Sequence, residues 1–303
     1  MGKIIIVGTL AFDTIETPHG KVERVIGGSA PFASLAAKTK NIECAIVSIV
    51  GNDFPKAYLN TLSKKNIDIS EVKIKKNGKS FFWHGKYHEN MNRRDTIETQ
   101  VNVLANFTPS IPENYHQTDI LVLGNLDPKV QLNIVEQFVT RPNFIILDTM
   151  NFWMDNSLDL LLTVISKVDL ICINEEEVIQ LSNCENIDQG VKQIIKMGPK
   201  FLVVKRGEYG ATLYSKDNHF SCVTFKVKNV IDPTGAGDSF AGGFMGYLST
   251  VNAYEEIEFK NACIYGTVMA SLCVEDFGIN KTVNLSEGEI ENRRKLLLNQ
   301  IKI

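Results

Sequence analysis

The run DPTGAGDSFAGGF, residues 232–244, carries the most structural information in this 303-residue chain. A turn at Gly235 and a run of small residues from Ala236 onward predict a helix that begins at this point. The backbone N–H groups of Gly235, Ala236 and Gly237 would then lie at a helix N-terminus, where they lack intrahelical partners. Free donors and the helix dipole both favour negative charge. The run therefore predicts an anion-binding site.

Asp238 lies in the first turn of this predicted helix, beside the anion site. A carboxylate there is placed to accept a proton from a substrate hydroxyl, as that oxygen attacks a phosphorus held by the backbone donors. The alternative is an acid that only complements the helix dipole. Four small residues and an acid in one contiguous run favour the chemical role.

The rest of the chain alternates between apolar runs and amphipathic stretches. The apolar runs predict strands at 3–8, 44–50, 120–123, 144–148, 170–173 and 201–205, and a hairpin at 211–215 and 220–226. Helical patterns occur at 29–39, 55–65, 128–138, 158–166, 175–181, 188–197, 236–249, 255–274 and 286–301. Such an order is typical of an α/β fold with a mostly parallel central sheet and helices on both faces. We predict a single domain over residues 1–303.

Two polar segments, 14–26 and 72–103, interrupt the alternation and follow predicted core strands. A long insertion in a compact domain is usually a functional lid or a disordered segment. The second segment contains SFFWHGKYH at 80–88, whose high β-propensity favours a lid. We therefore expect the two segments to form a small β-sheet lid. Its aromatic residues suggest a homodimer face, at Phe81, Phe82 and Trp83.

Composition excludes several classes of partner. With 32 Lys plus Arg against 35 Asp plus Glu, the formal net charge is −3, without the basic excess of a nucleic-acid binder. No apolar run approaches the roughly 18 residues of a transmembrane helix. We expect neither nucleic acid nor a membrane as partner. The six cysteines are scattered without a C-x-x-C pair, which favours reduced thiols in a cytoplasmic protein.

The 232–244 run resembles, almost letter for letter, the C-terminal signature of the ribokinase-like superfamily of carbohydrate and nucleoside kinases, also called the phosphofructokinase-B type. In that family the Gly-Ala-Gly backbone is the anion hole for the transferred phosphoryl group, and the following Asp is the catalytic base. The resemblance implies these roles for Gly235, Ala236, Gly237 and Asp238. It also implies ATP and Mg²⁺ as cofactors and a small-molecule sugar or nucleoside as substrate.

The resemblance extends to an acceptor site. Gly27-Gly28 resembles the family's N-terminal glycine pair, where lid and core meet, although a turn before a helix is the alternative. Asp13 looks like the family's acid that binds two substrate hydroxyls, with a solvated turn residue as the alternative. Asn125 would add a polar contact. The family usually has Asn where this chain has Phe32, which suggests a more apolar acceptor group.

A nucleotide site follows from further matches. Asn174 and Glu177 resemble the family's N-x-x-E motif, which organises Mg²⁺ and the phosphates, and Glu177 would act through water. The alternative is an acidic helix N-terminus. The segment KRGEYG at 205–210 resembles the part that borders the nucleotide. The resemblance implies nucleotide contacts for Lys205, Arg206, Gly207 and Gly210, although the two cations are alternatively surface residues.

Residues 269–278 look like the family segment that closes over the adenine. Together with the loop of Asp232 and Thr234, that segment often holds a monovalent cation, which implies K⁺ here.

The sequence thus predicts an ATP-dependent kinase of a sugar or nucleoside. Two alternatives stay open. A sugar-phosphate kinase would need several basic lid residues, and Lys86, Arg93 and Arg94 leave this open. A sugar or nucleotide sensor without catalysis would not need Asp238 and the anion loop.

Overall fold

The computed structural model describes residues 2–301. The strands are β1 (Lys3–Val7), β2 (Ala11–Thr17), β3 (Gly20–Gly27), β4 (Glu43–Gly51), β5 (Ile67–Lys75), β6 (Phe81–Tyr87), β7 (Arg94–Gln100), β8 (Ile120–Leu123), β9 (Phe144–Leu147), β10 (Leu170–Asn174), β11 (Phe201–Lys205), β12 (Ala211–Tyr214) and β13 (His219–Cys222). The helices are α1 (Ser29–Lys38), α2 (Lys56–Lys64), α3 (Pro128–Glu136), α4 (Asn151–Asn156), α5 (Leu158–Ile165), α6 (Glu175–Ser182), α7 (Ile187–Lys196), α8 (Ala236–Leu248), α9 (Glu256–Cys273), α10 (Asn280–Val283) and α11 (Glu287–Ile301).

The larger sheet is the core of the molecule. Within residues 2–301 its strand order is β13-β12-β11-β10-β9-β8-β1-β4-β5. The strands from β5 across to β11 pair in parallel, whereas β12 and β13 pair antiparallel at one edge. Helices cover both faces, so that side chains along β1 alternate between two apolar clusters, with Ile4 in one and Ile5 in the other. The predicted α/β class is confirmed.

A separate small sheet, which we call the lid, has the order β3-β2-β6-β7. β2 pairs in parallel with β6, and the two outer pairs are antiparallel. The lid begins at Ala11, earlier than the first expected segment at 14–26. Residues 72–75 of the second expected segment, 72–103, belong instead to β5 of the larger sheet. β5 lies at the sheet edge and carries many polar residues, which disguise it as part of the insertion.

The three aromatic residues of the expected dimer face are only partly exposed. Phe82 packs against the main core, and Trp83 donates from Nε1 to Thr96 Oγ1 at 3.3 Å. Phe81, Phe82 and Trp83 are each half-buried. Among the described lid residues, the exposed large apolar side chain is Ile97, at 55 %.

The carboxyl ends of the parallel strands form the edge at which ligands bind in open α/β sheets. Asn125 and Asp148 follow β8 and β9, while Asn174 and Lys205 end β10 and β11. The N-terminus of α8 meets this edge, because a Cβ added to Gly237 would lie 3.0 Å from Lys205 Nζ. The hydrogen bond between Tyr87 of β6 and Thr234 brings the lid to the same place. We call the region where the strand ends, the start of α8 and the lid come together the cleft. In the described part of the chain, no helix has the length and apolar character to cross a membrane.

Candidate active site

The anion loop, residues 232–237, was predicted to offer three backbone N–H donors to an anion, and two of the three are free. Gly235 adopts φ +76° and caps α8, a conformation that side chains disfavour. Ala236 N–H donates to Pro233 O at 3.1 Å, so it is not the free donor that the sequence predicts. The N–H groups of Gly235 and Gly237 have no hydrogen-bond partner among residues 2–301. These two groups are the free donors of the loop.

Phe32 lies directly against the anion loop. A Cβ on Gly235 would collide with its ring, and Phe32 is only 1 % exposed. The Phe32 ring is therefore enclosed by protein, and its position gives no support to the expectation of a more apolar acceptor group. The Phe32 ring belongs to the core and packs against Gly235, so it supports the anion loop from the core side. Only a glycine at position 235 allows the loop to approach the ring this closely.

Asp238 lies in the first turn of α8, as predicted. Burial, together with the nearby charge of Asp148, raises the pKa of Asp238 to about 7, against the opposing influence of Lys205 and Arg94. A carboxylate with a pKa near neutrality is suited to accept and release a proton at physiological pH.

Lys205 and Asp148 form an ion pair beside the anion loop, with Nζ 3.2 Å from Oδ1. Burial opposes the charge of Lys205, but Asp148 and other nearby acids outweigh it and raise the pKa of the ammonium. Lys205 is therefore a fixed positive charge next to Gly237. The sequence analysis missed Asp148. Its position at the end of predicted strand 144–148 was the available signal.

Arg94 is a second cation that the lid brings toward this site. Arg94 lies in β7, opposite Tyr87 of β6. Its guanidinium carbon lies 5.9 Å from the centre of the Trp83 ring. Its charge lowers the pKa of both Asp238 and Glu177. Within residues 2–301 Arg94 has no ion-pair partner.

The acceptor side of the cleft begins at Asp13, which lies within β2 of the lid and is 4 % exposed. Burial and the nearby Asp232 raise the pKa of Asp13 to about 8, while the Gly28 N–H acts in the opposite direction. Gly27 packs so closely on the Asp13 carboxylate that any Cβ would overlap it. Gly28 adopts φ +90° at the start of α1. The glycine pair and the acid are therefore adjacent, as predicted.

Asn125 lies at the carboxyl edge, but its amide is engaged by neighbouring residues. Trp153 Nε1 donates to its Oδ1 at 2.8 Å, and its Nδ2 donates to Met150 Sδ at 3.0 Å. These contacts fix the amide against α4. They leave one Nδ2 hydrogen for any ligand.

Asn174 and Glu177 form a capping box at the start of α6. Glu177 N–H donates to Asn174 Oδ1 at 2.9 Å, and Asn174 N–H donates to Glu177 Oε2 at 2.8 Å. Burial raises the pKa of Glu177, with Lys205 opposing the shift. The structural role of the motif is thus present, and Glu177 Oε1 has no hydrogen-bond partner among residues 2–301.

The 205–210 segment is half-buried at both ends and exposed between them. Arg206 Nε donates to Glu175 Oε1 at 2.8 Å, in a pair exposed by about two-fifths on each side. Gly210 has φ +94° and packs against the backbone of Cys222, which explains this glycine structurally. Gly207 contacts Asn92 of the lid.

Asp232 is fully buried and joins the anion loop to the segment that follows α9. Its Oδ1 accepts from Thr234 N at 2.8 Å, and its Oδ2 accepts from Gly278 N at 2.9 Å. Burial raises its pKa, although these bonds oppose the shift. The described residues place no cationic side chain within ion-pair distance of Asp232. No group of three or more metal-ligating side chains occurs in residues 2–301.

Solved structures share this arrangement of sheet and lid. The nucleoside kinase of Methanocaldococcus jannaschii, a member of the ribokinase family, aligns with a TM-score of 0.78 at 23 % identity, covering 98 % of this chain and 99 % of its own. A ribokinase II from E. coli, solved in complex with ATP and Mg²⁺, aligns at 0.76 and 21 % identity, covering 98 % and 100 %. The fold is that of the ribokinase-like kinases.

Sequence comparison extends this from the fold to the family. The pfkB family carbohydrate kinase profile matches residues 1–284, and the chain belongs to that family. A cytidine kinase from Thermococcus kodakarensis is 28 % identical over 257 residues, which cover 84 % of this chain and 91 % of the relative. The predicted family and enzyme class are confirmed: the chain is a kinase that transfers phosphoryl groups from ATP.

Proposed function

We propose that this kinase transfers the γ-phosphoryl group of ATP to a hydroxyl of a nucleoside or sugar, with Asp238 as the general base. One observation carries the assignment of the base. The pKa of Asp238 is raised to about 7, and the residue follows directly on the two free N–H donors, Gly235 and Gly237. A base and an anion hole in adjacent residues match the needs of in-line phosphoryl transfer.

The acceptor side of the reaction uses the lid and the glycine pair. Asp13 and the backbone at Gly27 and Gly28 would bind and orient the acceptor hydroxyls. As the acceptor oxygen bonds to the γ-phosphorus, the bond from that phosphorus to the bridging oxygen of ADP breaks. The hydroxyl proton passes to the Asp238 carboxylate. The N–H groups of Gly235 and Gly237 would stabilise charge on the transferred group.

The cleft residues fit a nucleotide and Mg²⁺. Lys205 and Arg94 supply positive charge for phosphates, with the backbone at Gly207 alongside. Glu177 Oε1 would hold Mg²⁺ through water, as hard cations bound by few carboxylates do, while Asn174 fixes the orientation of Glu177. Mg²⁺ supplies charge neutralisation on the phosphates. The predicted roles of Arg206 and Gly210 find less support, because both have structural partners.

A monovalent cation, K⁺, forms part of the proposal at Asp232 and Thr234. The buried Asp232 carboxylate accepts two backbone hydrogen bonds and has no side-chain cation nearby in the described residues. A buried charge without a counter-ion is costly. K⁺ bound by this carboxylate and by Thr234 would offset that cost.

A nucleoside is the favoured acceptor class. The support comes from two relatives named as a cytidine kinase and a nucleoside kinase, each covering more than four-fifths of this chain. The second candidate is a sugar phosphate. It has less support, because Arg94 is the lid cation whose charge acts on Asp238 and Glu177, and a phosphate group would be bound better by a cluster of cations.

An acceptor panel tests the proposal. Nucleosides, pentoses, hexoses and hexose phosphates are incubated with ATP and Mg²⁺, and both ADP and the phosphorylated product are quantified. Stoichiometric formation of a nucleoside monophosphate supports the proposal. Binding of a nucleoside, seen as a raised Tm, without product from any acceptor would instead indicate a sensor.

The expected homodimer is tested separately, by measuring the molecular mass of the protein in sedimentation.

A further inference from the structure

Among the described residues, one side-chain hydrogen bond joins the lid to the anion loop. Tyr87, the last residue of β6, lies with its Oη 3.1 Å from Thr234 Oγ1. Tyr87 is only 8 % exposed. In residues 2–301 this is the hydrogen bond that joins the lid strands to residues 232–237. The bond therefore exists only while the lid lies over the cleft.

The position of Thr234 directly affects the anion loop, because Thr234 precedes Gly235, whose N–H is the first free donor. Its backbone N–H is bonded to Asp232 Oδ1, and the other Asp232 oxygen is bonded to Gly278 N. These bonds hold the loop from the core side. Tyr87 holds it from the lid side. Thr234 is thus held between the two, one residue before the first free donor.

Tyr87 also belongs to the acceptor side. Asp13 pairs with Trp83 in the parallel β2–β6 register, and Tyr87 lies four residues further along the same strand. Side chains at even spacing on a strand share a face. Asp13, Trp83 and Tyr87 therefore project from the same face of the lid, toward the cleft.

The hairpin beyond Tyr87 has a second attachment. Asn92 Nδ2 donates to Glu208 Oε1 at 2.9 Å, on the loop that borders the proposed nucleotide site. The β6–β7 hairpin thus spans from the anion loop to the nucleotide side. A lid held at both points has a defined position over the phosphoryl-transfer site.

We propose that Tyr87 is a positioning residue, which rests on the proposed function. By hydrogen bonding to Thr234 it orients the Gly235 end of the anion loop when the lid closes on an acceptor. Closure of the lid and assembly of the anion hole are then one event. Phosphoryl transfer is supported fully only when the acceptor site is covered, which disfavours transfer to water.

The test is Tyr87→Phe, which removes the hydroxyl and keeps the ring. We expect kcat to fall about tenfold, because the loss of one hydrogen bond of typical net strength changes a rate by about that factor. KM for ATP and for the acceptor should change less than about twofold. The matched control is Tyr265→Phe. Tyr265 is also buried, at 2 % exposed, with its Oη 3.0 Å from Thr39 Oγ1, but it lies outside the site. Its loss should leave kcat unchanged.

Thr234 provides an independent arm. Thr234→Val removes the partner hydroxyl, and Thr234→Ser keeps it. We expect the Ser variant to retain most of kcat. The double variant Tyr87→Phe with Thr234→Val should be no slower than Thr234→Val alone, because the two changes remove the same bond. If Tyr87→Phe does not fold, the double variant is lost with it, and the comparison of Thr234→Val with Thr234→Ser remains as the test.

The outcomes separate the two proposals. A wild-type protein that phosphorylates no acceptor overturns the proposed function. An active wild type in which Tyr87→Phe keeps full kcat, or in which Tyr87→Phe and Tyr265→Phe lose kcat equally, overturns the role of Tyr87 and leaves the proposed function standing. Additive losses in the double variant overturn it as well.

Discussion

Lys205 Nζ is bonded to Asp148 Oδ1 across the end of strand β10, at 3.2 Å, and the ammonium lies next to Gly237 in the anion loop. The pair keeps a cation in a cleft that also contains several acids, with Arg94 as a second cation on the lid side. Asp13, Glu177, Asp232 and Asp238 all have pKa values raised by burial. The raised pKa values weaken the negative charge of these acids near neutral pH, whereas Lys205 stays charged there and is available to a phosphate.

Replacing Lys205 by Met should weaken both nucleotide binding and the fold. We expect KM for ATP to rise at least tenfold, because one phosphate contact and one charge are lost. Stability should fall by about 2 kcal/mol, since Asp148 loses a charge-assisted partner in a partly buried position. Steady-state kinetics and denaturant unfolding measure the two effects.

The control for this variant is Lys200→Met. Lys200 is 74 % exposed and pairs with Asp169 at 3.3 Å, away from the cleft. Asp169 is buried, but it keeps Arg141 at 2.6 Å as its nearer partner, and the exposed Lys200 ammonium contributes little to stability, so this change should alter neither quantity. A Lys205→Met enzyme with an unchanged KM for ATP would contradict the phosphate role.

The pKa of Asp238 sets the pH dependence of catalysis. Because burial raises it to about 7, the base is protonated below that pH and cannot accept the hydroxyl proton. We expect kcat/KM to fall on the acid side with an apparent pKa near 7. It should level off only above pH 8, because the Asp13 pKa of about 8 places that carboxylate in the same range. An acid limb centred near pH 4, the ordinary value for an aspartate, would contradict this environment.

Phe32 should matter to the anion loop more than to the acceptor. Phe32→Ala opens space beneath Gly235 and is expected to cost about 3–4 kcal/mol of stability. It should also lower kcat, because the loop loses its support, with similar effects for every acceptor tested. Rates are compared at a temperature where the variant is folded.

Phe259→Ala is the matched control for this change. Phe259 is 2 % exposed and packs against Phe144 and Phe201, at the strand ends opposite the cleft. It should lose comparable stability and keep its kcat. A selective change in acceptor KM for Phe32→Ala would show instead that Phe32 contacts the substrate.

Much of the fold was predictable because its core elements are locally distinct. The apolar strands Ile120–Leu123 and Phe201–Lys205 match their predicted bounds, and α8 ends within one residue of the expected helix at 236–249. β5 was not predictable, because Ile67–Lys75 is an edge strand whose polar residues conceal its pattern. Burial on both faces gives a clear signal, and an edge strand gives a weak one.

The site was predictable where one contiguous run carries it and not where distant segments meet. Gly235, Gly237 and Asp238 lie in a single stretch, so their arrangement follows from one helix start. Asp148 and Tyr87 act through partners 57 and 147 residues away in sequence. The packing of Phe32 was not predictable for the same reason, since its contact with Gly235 exists only after α1 and α8 pack together.

The most direct test of the account is the turnover of Asp238→Asn with an acceptor identified from the panel. Asparagine keeps the size of the side chain and cannot accept the proton, and general-base catalysis contributes about 10²–10⁴-fold. We expect kcat to fall by at least a hundredfold while an ATP analogue still raises the Tm of the variant as it does for the wild type. Turnover within a few-fold of the wild type would contradict the assignment of Asp238 as the base.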